Sequence, residues 1–145
     1  MRTEARTRAL VVDDHPTNRL MLQIYLEDAM GADVVEAADG ASAVELYRAG
    51  GFDLVFMDIE MPVMDGLAAT AAIRAFEQQA ALPPAPIIVV SAFCQSEDHA
   101  RSRQAGASAH VAKPLVFSAL RDLIEDLTSR LAPGRQATEG LRRTG

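Results

Sequence analysis

Cysteine is nearly absent: Cys94 is the single one among 145 residues, which excludes an internal disulfide. Nothing around it in the sequence has the spacing of a metal cluster, and the chain fits a reducing compartment. Long apolar runs are missing too. No segment approaches the roughly 20 apolar residues of a membrane span, and the first nine residues carry three arginines and no apolar stretch, unlike a leader. A soluble, cytoplasmic protein without a membrane partner is expected. Basic residues are in deficit, 14 Lys and Arg against 20 Asp and Glu for a net charge of -6. That argues against a nucleic-acid partner, since a duplex-DNA binder shows a basic face, and leaves proteins and small ions. There is no internal repeat, low-complexity tract or second domain. At this length one domain can bury its core without staples.

What is present centres on Leu54 to Gly66. Leu54 to Met57 is an unbroken apolar run, suited to a strand buried on both faces, and it ends abruptly in Asp58. Pro62 and Gly66 make the next segment a tight loop, and Asp65 is placed to cap the helix that follows. Upstream, residues 1–7 are polar and predicted flexible. Ala9 to Val12 is a strand ending in Asp13 and Asp14. His15-Pro16-Thr17-Asn18 opens a helix to about Met30, stopped by Gly31, with Met21, Leu22, Tyr25, Leu26 and Ala29 as its apolar set. Val34 and Val35 give a brief strand, and Asp39-Gly40 leads into a helix through Ala43, Leu46 and Tyr47 that closes at Gly50-Gly51.

Downstream of Gly66, an alanine-rich helix runs to about Gln79, and Pro83-Pro84-Ala85-Pro86 forces a loop. Ile87 to Val90 is a strand ending in Ser91. A polar helix from about Gln95 to Ala105 stops at Gly106, and a weak strand from Ser108 to Ala112 ends in Lys113-Pro114. Val116, Leu120, Leu123, Ile124, Leu127 and Leu131 form the apolar stripe of a last helix. Residues 132–145 lack periodicity and read as a disordered tail, whose removal should alter stability by less than about 0.5 kcal/mol.

Five strands alternating with five helices predict an α/β fold, a doubly wound, flavodoxin-like five-stranded parallel sheet of order 2-1-3-4-5. That order brings the ends of strands 1 and 3 together at the switch point. Asp13, Asp14 and Asp58 then converge, flanked by Ser91 and Lys113. Close carboxylates repel unless a cation lies between them. Oxygen ligands favour a hard ion such as Mg²⁺, which keeps room for water and phosphate oxygens. A carboxylate beside that ion can attack a phosphoryl group, with Ser91 and Lys113 as donors to its oxygens. Singly, Asp13 and Asp14 read as helix caps, Lys113 as a solvated lysine and Ser91 as an ordinary serine. Their joint occurrence at four strand ends does not.

Val11-Val12-Asp13-Asp14, Met57 to Gly66, Ser91-Ala92, and Gly106 followed by Lys113-Pro114 together resemble the receiver domain of two-component response regulators, over residues 8–131. The resemblance implies Asp58 as phosphoacceptor and Mg²⁺ held by Asp14 directly, by Asp13 largely through water, by Asp58 and by the backbone carbonyl of Glu60. It also implies Ser91 as the switch hydroxyl beside Ala92, Lys113 as the phosphate-binding amine, and a cis peptide before Pro114. The partners implied are a sensor histidine kinase or histidine phosphotransfer protein and a downstream protein target reached through the face of the fourth helix, fifth strand and fifth helix. Such a receiver is no enzyme beyond its own phosphorylation and dephosphorylation.

A non-phosphorylated interaction scaffold, a Mg²⁺-dependent aspartyl phosphohydrolase and an FMN carrier are the rival readings. The second lacks a substrate-enclosing insertion, and the third a Gly/Ser/Thr-rich phosphate loop. One departure from the family concerns output: where receivers place Tyr or Phe three residues before the lysine, this chain has His110. Burial of that ring on activation would make output pH-sensitive. His15 and His99 read as surface residues, and Cys94 as an inert thiol in the loop after the fourth strand.

Overall fold

The computed structural model describes residues 7–61 and 64–131. In chain order the elements are β1 (Arg8–Val12), α1 (Pro16–Met30), β2 (Asp33–Ala37), α2 (Gly40–Ala49), β3 (Leu54–Asp58), α3 (Gly66–Ala80), β4 (Ile87–Ser91), α4 (Ser96–Ala105), β5 (Ala109–Ala112) and α5 (Phe117–Leu131). All strands are parallel in the order β2-β1-β3-β4-β5, as expected. The expected tail at 132–145, and all but the last residue of the N-terminal 1–7 segment, lie outside the described residues.

Burial explains why the strands read as they do. β3 and β4 are buried throughout, and β1 is buried from Ala9 to Val12. Helices on both faces leave no solvent-facing positions there, so continuous apolar runs replace alternation. Successive side chains still serve opposite cores. Leu10, Val12, Val55, Met57, Ile87 and Val89 meet Ala43, Tyr47, Ala69 and Ile73 of α2 and α3 on one side. Val11, Phe56, Ile88 and Val90 meet Leu22 and Leu26 of α1 and Leu120, Ile124 and Leu127 of α5 on the other. Each such Leu or Ile removed from water contributes about 1.5–3 kcal/mol. The edge strands β2 and β5 are only partly buried, which is why they are faint in the sequence.

Two details differ from the sequence pattern. On α1, Leu22 and Leu26 are buried, but Met21 is 50% exposed, because at 3.6 residues per turn it lies off the stripe that meets β1; Ala29, in the last turn of the helix, is also exposed. Val116 precedes α5 and is 61% exposed, so the buried stripe begins with Leu120.

Local stops and caps hold the loops that carry function. Asp65 caps α3 by accepting from the Ala68 N–H at 2.8 Å. Gly66 sits so close beneath the end of β3 that a Cβ there would collide with the Asp58 carbonyl. Only glycine permits this approach, which seats the start of α3 directly behind Asp58. The Lys113-Pro114 peptide bond is cis.

Candidate functional site

Parallel register brings four strand ends to one level. Val12 pairs with Met57, Asp58 with Val90, and Ser91 with Ala112. Asp13, Asp58, Ser91 and Lys113 therefore stand in a row along the carboxyl edge of the sheet. Asp58 is 1% exposed. Its Oδ1 accepts from Lys113 Nζ at 2.9 Å and from the Glu60 N–H at 3.2 Å. Burial pushes the Asp58 carboxyl above the ordinary carboxylate range; the Lys113 hydrogen bond opposes this, and the charge of Asp13 adds to it. For Lys113, burial works to lower the pKa, but the hydrogen bond and charge of Asp58, with Asp13 and Glu60, carry it above its usual value.

Among the described residues, Asp58 Oδ2 and Asp14 Oδ1 are the buried side-chain oxygens without a hydrogen-bond partner. His15 Nδ1 lies 3.0 Å from Asp14 Oδ1 without making such a bond. An orphaned buried acceptor costs roughly 1–3 kcal/mol, more when charged. An oxygen-only set with two unsatisfied atoms fits a hard divalent ion such as Mg²⁺. A cavity of about 390 Å³ is lined by Asp13, Asp58 and Lys113 together with the apolar Met21, Leu22 and Phe117.

The sequence reading assigned Glu60 only a backbone carbonyl. In the structure its side chain enters the site. Glu60 Oε2 accepts from Ser91 Oγ at 2.5 Å, and Oε1 from the Ala92 N–H at 3.4 Å and Lys113 Nζ at 3.5 Å. These are the donors assigned to the phosphoryl oxygens, so a carboxylate stands where an anionic ligand would. The signal available in the sequence was weak: an acid two residues beyond Asp58, with no indication of its direction.

A sequence profile of the response regulator receiver domain matches residues 9–125. The chain belongs to that family. Among its relatives, the sensor protein GacS of Pseudomonas syringae pv. syringae is 42% identical over 108 residues, 74% of this chain. The chain spans only 12% of that protein's length. The receiver domain of sensor histidine kinase PA1611 from Pseudomonas aeruginosa PAO1, solved with a magnesium ion in its active-site cleft, superposes with a TM-score of 0.74. It is 31% identical and covers 86% of this chain and 98% of its own. The Saccharomyces cerevisiae Ssk1 receiver, crystallised with the histidine phosphotransfer protein Ypd1, gives a TM-score of 0.80 at 27% identity, covering 85% of this chain and 89% of its own. This chain is thus a receiver of the two-component and phosphorelay class. Among the described residues, no helix is long and apolar enough to cross a membrane.

In this receiver His110 is already lodged in the face between α4 and β5. Its Nδ1 lies 2.7 Å from Ser102 Oγ and its Nε2 3.0 Å from the Phe93 carbonyl. Burial lowers its pKa, and the nearby His99 acts the same way. His99, expected at the surface, is partly exposed, and its ring stacks on His110 with centroids 4.3 Å apart. His15 is exposed, as expected. Cys94, expected to have no metal-binding neighbours, stands beside both of these imidazoles. Chain folding across α4 makes that cluster, and no local spacing announces it.

Proposed function

We propose that this receiver accepts a phosphoryl group from a phosphohistidine donor onto Asp58 and signals through the face of α4, β5 and α5. The observation that carries this is Asp58 itself, a carboxylate almost wholly buried, with one oxygen on Lys113 and the other without a partner. Asp13, Asp14, Asp58 and the Glu60 carbonyl would hold Mg²⁺, which supplies positive charge against the negative nucleophile and phosphoryl group. Asp58 Oδ2 attacks phosphorus, an O–P bond forms, and the donor's N–P bond breaks. The donor imidazole leaves with the electron pair and takes a proton from solvent. Lys113, Ser91 and the Ala92 N–H then bind the non-bridging oxygens.

Similarity to a receiver crystallised with a phosphotransfer protein supports a donor of that class. On α1, Leu20, Met21 and Ile24 are at least half exposed, and Met21 also lines the cavity beside Asp58. That is an apolar surface on which such a donor can seat its histidine. Phosphorylation leaves about two negative charges on the phosphoryl group at Asp58 at pH 7, where the carboxylate carried one. They draw the Ser91 hydroxyl and Lys113 from Glu60, and the loop after β4 follows, because the Phe93 N–H is bonded to Ser91 Oγ at 2.9 Å. His110, bonded to the Phe93 carbonyl, carries the movement to β5.

Ser91→Ala should therefore uncouple the domain while leaving Asp58 reactive. Amide spectra with beryllofluoride should show weaker shifts at Ala92 to Cys94 than in the wild type; full wild-type shifts would remove Ser91 from the switch. Glu60→Gln should speed uptake from a small phosphodonor by about tenfold. A charged hydrogen bond of about 1.5–3 kcal/mol no longer has to be exchanged, and a like charge no longer faces the incoming group. A rate equal to or below the wild type would show that Glu60 does not compete with the phosphoryl group.

A further inference from the structure

We propose that Cys94, His99 and His110 form a second metal site, for a zinc-class ion, on the face between α4 and β5. One ligand atom from each of the three lies within 4.8 Å of the others. They come from the loop after β4, from α4 and from β5. Bonds of about 2.3 Å to sulfur and about 2.0–2.1 Å to nitrogen require the three to close by about 1 Å, within reach of side-chain rotation. All three are partly exposed, so an ion has an entry path and water can complete a tetrahedron. α4 buries only Ser102 among its residues, so no fully buried apolar side chain of that helix opposes the adjustment.

The surroundings fit ligation. Metal-bound histidine ordinarily donates its second ring nitrogen to a carbonyl or another oxygen, which fixes its orientation. His110 has such partners on both nitrogens, the Phe93 carbonyl and Ser102 Oγ. If the ion takes the nitrogen facing Ser102, that hydroxyl keeps the Asp98 carbonyl, 3.2 Å away. If it takes the other, the ring proton passes to the Ser102 side and the same carbonyl accepts the hydroxyl. Cys94 binds as thiolate, releasing its proton to the buffer, and no electron is transferred. A thiolate with two imidazoles selects zinc, cobalt or nickel over magnesium, which prefers oxygen. The site is thus chemically distinct from the acidic cleft at Asp58.

Such an ion would tie together the elements through which the proposed switch acts, because Cys94 follows directly on the Phe93 that bonds to Ser91 Oγ. This coupling, unlike the site itself, rests on the phosphoacceptor reading. The test is titration of the full reduced chain with Co²⁺ in excess Mg²⁺, following thiolate-to-cobalt charge-transfer absorption, with Zn²⁺ binding measured by calorimetry. Cys94 is the only cysteine, so the absorption reports this site alone. One equivalent should bind, the band should vanish in Cys94→Ser, and affinity should fall at least about tenfold in His99→Ala and in His110→Phe. Asp58→Asn should bind as the wild type does. No band, or a band whose affinity is indifferent to both histidine variants, would overturn the site, since a thiol alone would account for it. Beryllofluoride should then shift Co²⁺ affinity by about fivefold or more. An unchanged affinity with beryllofluoride bound removes the coupling, whereas failure of beryllofluoride to bind at all counts against the phosphoacceptor reading and leaves the cobalt result standing.

Discussion

Asp58→Asn should abolish phosphoryl uptake from a small phosphodonor, and chelation of Mg²⁺ should do the same to the wild type. The amide cannot supply a carboxylate oxygen as nucleophile, and no other acid takes its position: Asp13 and Asp14 lie beyond β1, and the Glu60 side chain is engaged by Ser91, Ala92 and Lys113. Intact-mass measurement decides it, since the wild type should gain one phosphoryl group and the variant none. Phosphorylation that survives in Asp58→Asn, or that ignores chelator, removes Asp58 as acceptor. The variant should also reveal the ion through stability. An ion at 100 times its Kd stabilises the native state by about 2.7 kcal/mol, and Asp58→Asn should lose most of that increment. Metal-free, the variant should melt above the wild type, because it no longer buries a charge that burial itself disfavours.

Glu77→Ala should be strongly destabilising, by about 3 kcal/mol or more, since removing one partner of a buried ion pair leaves the other uncompensated. Glu77 is 2% exposed on α3. It accepts from Tyr47 Oη of α2 at 2.5 Å, from the Ala85 N–H before β4 at 2.9 Å, and from Arg74 at 2.8 Å. Arg74 in turn donates to the Gly106 carbonyl at 2.8 Å and to Ser108 Oγ at 3.3 Å, at the turn between α4 and β5. Burial and then the Glu77 hydrogen bond push the Tyr47 phenol far above its usual pKa, so it stays a donor at all working pH. The thermal midpoint should fall by about 10 °C, with Glu77→Gln intermediate because it keeps acceptor capacity but not the charge facing Arg74. A fall of only a degree or two for Glu77→Ala would mean that water replaces the carboxylate and the network carries little.

The sequence determined by itself the order of elements, the topology of the sheet, and the acids, hydroxyl and lysine at the strand ends. These were legible because each rests on local pattern. A strand covered on both faces must be a continuous apolar run, so a polar residue that ends one, such as Asp58 or Ser91, lies at the sheet's edge once the strands are parallel. Tertiary structure alone decided where the Glu60 side chain turns, that Glu77 is buried, and that Cys94, His99 and His110 meet. Glu77 left a trace, since it continues the buried positions Ala69, Thr70 and Ile73 of α3 at helical spacing, but a lone Glu among alanines also reads as a solvated face. The other two left none. Whether a carboxylate faces water or a serine, and whether two imidazoles share a neighbour, depends on groups brought together from separate elements: Ser91 on β4 reaching the loop after β3, and His110 on β5 reaching α4 and the loop before it. Only closure of the sheet and docking of the helices sets those distances, and no periodicity within one element encodes them.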